Sequence, residues 1–104
     1  MDKIKNTQTI KTFVKRIQET MSPSYVVLFG SYGTPEFNEY SDIDIVVVSD
    51  IFMHMDPYKR FTKLHSIASD LTPEIQAFGV TPSEWENTKT PTLLDAKMKG
   101  RNLI

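Results

Sequence analysis

Cysteine is absent from the 104 residues, which removes disulfides, thiolate zinc sites and cysteine nucleophiles together. Histidine is scarce: His54 and His65 lie far apart and share no metal-ligand spacing. An excess of one charge is lacking too. Twelve lysines and arginines against thirteen acids leave a net charge of −1, too little positive charge for a general duplex-DNA binder that works by neutralising phosphates. No apolar run is long enough to span a membrane, and the first thirteen residues hold no signal-peptide core. These absences predict a soluble, cytoplasmic protein. Its 39% hydrophobic and 24% charged content is that of an ordinary globular chain, and its length predicts a single domain over residues 1–104 with one modest core.

Periodicity organises the chain. Ile10, Phe13, Val14, Ile17 and Met21 recur at three- and four-residue steps, predicting an amphipathic helix over about residues 7–21 that breaks at Ser22-Pro23-Ser24. Tyr25 to Phe29 is an apolar, β-favouring run that ends at Gly30-Ser31. After a polar stretch, residues 42–48 read as a second strand, polar at its start and apolar thereafter. Asp56-Pro57 has the form of an N-cap followed by proline at the first helical position. Phe61, Leu64, Ile67, Ala68 and Leu71 continue that helix to about residue 71. Residues 74–80 are a weaker third strand. Thr81-Pro82-Ser83-Glu84 spells a capping box for a short helix carrying Trp85, and Thr90-Pro91 opens a last one. The order predicts an α/β (α+β) domain with helices packed on a short sheet.

Chemistry concentrates at two places. Asp42 and Asp44 are two apart on a strand and so share one face. Side by side at the entrance to an apolar strand they repel one another unless a cation neutralises them. No lysine or arginine falls between residues 17 and 58, and hard oxygen ligands of this kind suit Mg²⁺ with substrate phosphates. Gly30 permits close backbone approach, and Ser31 offers an N–H and a hydroxyl to a phosphate. Together the two places carry the logic of nucleotidyl transfer, in which metal ions clamp a triphosphate and steady the attacking and leaving oxygens. Elsewhere, Lys59, Arg60 and Lys63 read as a solvated basic face, His54 as a loop residue, His65 as partly buried, and Trp85 as a packing anchor.

Leu28-Phe29-Gly30-Ser31, a ten-residue spacer, then Asp42-Ile43-Asp44 resembles the signature of the DNA polymerase β-type nucleotidyltransferase superfamily. The short chain resembles its minimal nucleotidyltransferase branch, commonly paired with HEPN-domain proteins in toxin–antitoxin systems. The Thr81-Pro82-Ser83-Glu84-Trp85 segment is similar to one found in many of them. The resemblance implies the nucleotidyltransferase fold, a short mixed sheet of about three to four strands. It implies two Mg²⁺ ions on Asp42 and Asp44, with Gly30 and Ser31 on the β- and γ-phosphates. A third acid stands on the next strand in active members: Gln76 falls at that position counted back from Thr81-Pro82, and Glu74 falls there if the register differs by two. Where many minimal members carry arginine in the spacer this chain has Thr34, followed by Pro35, which implies weaker nucleotide binding. The implied activity is transfer of NMP, AMP from ATP above all, to a hydroxyl of a protein such as a HEPN toxin. The alternative is a subunit that has lost transfer and neutralises a HEPN partner by masking it. An oligomer is compatible with either.

Overall fold

The structure, a computed structural model, describes residues 2–30 and 43–104, with side-chain surroundings from residue 8 onward. Helix α1 (Asp2–Met21) leads into β1 (Tyr25–Phe29), and β2 (Ile43–Val48) follows. A 3₁₀ turn spans Asp50–His54, then come α2 (Pro57–Ala68), β3 (Ile75–Val80), α3 (Pro82–Glu86), α4 (Pro91–Lys99) and a two-residue β4 (Arg101–Asn102). The four strands form one mixed sheet in the order β3-β2-β1-β4. β1 runs antiparallel to β2 and to β4, whereas β2 and β3 are parallel. This is the sheet with packed helices that the element order predicts, and its mixed strand directions are those the family resemblance implies.

Local chemistry places the boundaries. Ser22 takes the left-handed conformation (φ 45°) and turns the chain out of α1. Asp56 caps α2 by accepting the Lys59 N–H at 2.9 Å. At α3, Thr81 Oγ1 accepts the Glu84 N–H at 3.1 Å while Glu84 accepts the Thr81 N–H at 2.8 Å, the reciprocal pair of a capping box. Four details differ from the expectation. Helix α1 begins at Asp2 rather than near residue 7. Helix α2 closes at Ala68 rather than near 71, where Leu71 N–H already bonds back to Ala68 O. His54 sits in the 3₁₀ turn, which Ser49 caps by accepting the Ile51 N–H. The chain beyond α4 adds β4, held because Asn102 and Arg101 pair with Val27 and Leu28.

The sheet has two unlike faces. Val26, Leu28, Ile43, Ile45, Val47, Ile75 and Ala77 look toward α1 and α2, where Phe13, Ile17, Phe52 and Leu64 complete a fully buried core. Val27, Phe29, Val46, Val48 and Val80 look the other way, toward Ala96, Leu93 and Trp85 of the C-terminal helices. The second cluster is the smaller, and it gives way to polar residues at one end of the sheet.

Candidate functional site

That polar end is built by strand register. Asp44 stands opposite Phe29 on one side and Gln76 on the other. Facing alternates along a strand, so Asp44 continues the row of Val46 and Val48, and Gln76 the row of Phe78 and Val80. Asp44 and Gln76 therefore emerge on the same face, beside the point where β1 ends. Glu74 precedes Gln76 by two residues and shares its face; its Oε2 accepts a hydrogen bond from Gln76 Nε2 at 3.1 Å.

Gly30 closes the site from the β1 side. Its φ of +82° lies in the left-handed region, which glycine enters without steric cost. Its neighbourhood demands glycine as well. A Cβ at position 30 would meet the Asp44 side chain, 3.1 Å from Cγ and overlapping Oδ2. The main chain thus passes directly against a carboxylate, a close approach that any side chain would prevent.

Of the six residues expected at the site, Gly30, Asp44, Glu74 and Gln76 converge here, while Ser31 and Asp42 lie outside the described residues. The register places Gln76, not Glu74, directly across from Asp44. Glu74 is nonetheless one hydrogen bond away. The donors are carboxylate and amide oxygens, a hard set suited to Mg²⁺ and poorly suited to softer ions. No cluster of three His, Cys, Asp or Glu side chains occurs among the described residues. The histidines are elsewhere: His54 follows the far end of β2, and His65 is exposed on α2, stacked on Phe61 with ring centroids 5.7 Å apart. The expected partial burial of His65 is not found, because it points off the apolar stripe that Leu64 and Ala68 bury.

Beside the polar end lies an aromatic floor. Phe29 and Phe78 approach across β2 with ring centroids 6.2 Å apart, tilted at 46°. Phe29 is buried and Phe78 is 43% exposed. Trp85 packs against the smaller cluster, as expected of an anchor, with Lys97 Nζ 5.7 Å above its ring.

One residue does something the sequence did not disclose. Arg60, expected on a solvated face, is a clamp. Its guanidinium donates to the carbonyls of Phe52 (2.8 Å), Met55 (2.9 Å) and Gly79 (3.2 Å), and to Glu84 Oε1 at 2.6 Å. This ties the 3₁₀ turn, β3 and α3 to α2. The Arg60 hydrogen bond, with support from the Thr81 N–H, holds the Glu84 carboxyl below the usual glutamate range. No local signal marks such a residue, since its partners come from three other elements.

The chain is thus a small α+β domain whose four-stranded mixed sheet carries a glycine turn packed against a strand carboxylate. The family model for the nucleotidyltransferase domain matches residues 8–87. The chain belongs to that family. No curated protein sequence matches it. Among solved structures, a candidate nucleotidyltransferase from Sulfolobus solfataricus is similar over 99% of this chain and 91% of its own, at 20% identity and a TM-score of 0.64. A toxin–antitoxin determined with AMP-PNP is similar over 90% of this chain and 71% of its own, at 21% identity and a TM-score of 0.60. BolA1 from Arabidopsis thaliana matches over 73% of this chain and 94% of its own, at 16% identity and a TM-score of 0.61. At these identities the likeness is one of fold alone. No described helix is long and apolar enough to cross a membrane.

Proposed function

We propose that this domain moves a nucleoside monophosphate, AMP from ATP in the first instance, onto a hydroxyl of a protein acceptor. The observation that carries the reading is the left-handed Gly30 packed against the Asp44 carboxylate, with Gln76 and Glu74 on the adjoining strand. Asp44, with Asp42 two residues before it, would hold two Mg²⁺ ions. Bound there, they would draw the triphosphate oxygens together and spread the charge that develops on the leaving pyrophosphate. Gly30 and Ser31 give the phosphate chain a place to lie against the backbone. The acceptor oxygen bonds to the α-phosphorus, the bond from that phosphorus to the bridging oxygen breaks, and pyrophosphate departs. Gln76 is neutral and cannot take the acceptor's proton, but it can orient the hydroxyl. Glu74, bonded to Gln76, is the carboxylate that receives the proton.

A HEPN-domain toxin is the acceptor favoured by the sequence resemblance, and the structural likeness to a toxin–antitoxin determined with AMP-PNP supports a nucleotide and a protein partner. A second reading has one specific observation behind it. Gln76, an amide, occupies the register position across from Asp44, as in a subunit that has given up transfer and masks its partner instead.

Calorimetric titration with ATP, with and without Mg²⁺, tests the first reading. Binding should need the metal. In Asp44→Asn, Mg²⁺-dependent binding should vanish and AMP transfer should fall on the order of 10³-fold, the scale on which loss of one transition-state electrostatic contact is felt. Unaltered binding in Asp44→Asn would remove the assignment. Metal-dependent binding without transfer, together with intact neutralisation of the partner by Asp44→Asn, would favour masking.

A further inference from the structure

The sheet ends at β3, whose outer edge pairs with no strand among the described residues. The direction of its backbone groups follows from the ladder. Ile43 N–H donates to Glu74 O at 2.9 Å, and Ser49 N–H to Val80 O at 3.0 Å. In a parallel pair the N–H and C=O of one residue point the same way and successive residues alternate. Gln76, Phe78 and Val80 therefore spend their backbone groups on β2, and Ile75, Ala77 and Gly79 turn theirs outward. The Gly79 carbonyl confirms the parity by accepting Arg60 Nη1 from outside the sheet. That leaves the Ala77 N–H and C=O and the Gly79 N–H in a row along the edge.

The edge lies at the floor of a groove of about 860 Å³. Four consecutive residues, Ala77 to Val80, line it, so it follows the edge rather than one face. Phe61 of α2 walls one side and Leu93 of α4 the other. Phe61 is 52% exposed and Phe78 43%, leaving apolar contacts on both sides of the unpaired backbone. The groove lies next to the candidate site, two of its lining residues adjoining it. Phe78 contacts Phe29, which stands opposite Asp44, and Ala77 directly follows Gln76.

We propose that the acceptor enters as an extended polypeptide segment, added to the open edge of β3 as a fifth strand. The inference rests on the nucleotidyl-transfer reading and names the form of its acceptor. Only a polypeptide presents alternating N–H and C=O groups at the two-residue repeat of about 6.6 Å that this edge requires. Side chains of an added strand alternate between the Phe61 wall and the Leu93 wall. The residue paired with Gln76 shares the face of Gln76 and Asp44, so a long hydroxyl side chain there reaches back over Gln76 toward the metal end of the site. Arg60 on the Gly79 carbonyl stops the pairing at the other end and so helps to set the register.

The test selects heptapeptides with a fixed central tyrosine from a displayed random library against the full chain. Selected peptides should slow deuterium exchange at the Ala77 and Gly79 amides while leaving that of Val46 unchanged. Methylating alternate peptide nitrogens should weaken binding about tenfold, the scale of one or two lost hydrogen bonds. Phe61→Asp, at an exposed position, should weaken it as well. Failure to enrich any peptide, or enriched peptides that leave both amides unprotected, would overturn the proposal. Asp44→Asn should bind these peptides as wild type does, so a failed edge leaves the nucleotide assignment standing, and a failed nucleotide assignment leaves edge binding measurable.

Discussion

The two faces of the sheet are made by the same strands yet solve different problems. Toward α1 and α2, every strand residue of the cluster is apolar and buried, and Phe13, Ile17, Phe52 and Leu64 fill the space between. Toward α4, apolar cover extends along Val27, Val46, Val48 and Val80 but yields to Asp44 and Gln76 at one end. The first face stabilises the domain by removing apolar area from water. The second sets a carboxylate on a rigid strand, where neighbouring backbone fixes its position to a fraction of the freedom a loop would allow. A stiff core behind a polar edge is how a small domain holds charged groups without itself giving way.

The largest expected effect lies on the closed face. Phe52 is fully buried, receives the Arg60 guanidinium 5.8 Å from its ring centre, and lies against the backbone of Gly79. Phe52→Ala should lower stability by about 3–5 kcal/mol, read as a fall in the urea midpoint. A domain of this size has about 5–15 kcal/mol in total, so that variant should be near unfolding at 37 °C. A loss under 1 kcal/mol would mean that the two faces contribute more equally than their packing indicates.

Gly30→Ala tests the open face. At φ +82° an L side chain costs about 1–2 kcal/mol, and its Cβ would collide with the Asp44 carboxylate. Thermal stability should drop modestly, and Mg²⁺-ATP binding should drop more than that loss accounts for. Equal binding by the variant would detach Gly30 from the nucleotide. Gln76→Asp sharpens the same comparison. Without metal, a second carboxylate across from Asp44 should destabilise by about 0.2–1 kcal/mol, the cost of like charges on neighbouring strands. With Mg²⁺ the sign should reverse, so that the Tm gain on adding metal exceeds that of wild type. The absence of any added Mg²⁺ response would argue against a metal at this end of the sheet.

Much of the fold was legible because its signals are local. The α1 stripe, the apolar runs of β1 and β2, the Asp56-Pro57 start and the Thr81 capping box each act within a few residues. β3 reads weakly for a reason visible only in three dimensions: Gly79 lowers its strand propensity, yet a side chain there would run into the Phe52 ring. β4 depends on pairing with Val27 and Leu28, more than seventy residues away. The site divides in the same way. The spacing of Gly30 and Asp44 marks them as a pair, and the count back from Thr81-Pro82 points to Gln76, but it leaves Glu74 open until the β2–β3 register sets Gln76 across from Asp44. Arg60 was hidden altogether, since a basic residue on a helix reads as solvated until its carbonyl partners are placed around it.

Arg60 and Glu84 yield the smallest effect, and one whose sign can be worked out. Their ion pair fastens the C-terminal helices to α2, bridging the closed face and the open one. Because the guanidinium holds the folded Glu84 carboxyl below its ordinary value of about 4.5, the native state releases that proton more readily than the unfolded chain. The pair's contribution is therefore complete above the ordinary glutamate value and is lost as pH falls through the lowered one. Glu84 is about half exposed, so solvent screening keeps the effect within about 1 kcal/mol. Glu84→Gln retains much of the cap but not the charge; its stability should differ from wild type near neutrality and converge with it in acid. Parallel pH profiles for the two proteins would show that Arg60 holds the elements together through its three backbone carbonyls and needs no carboxylate to do so.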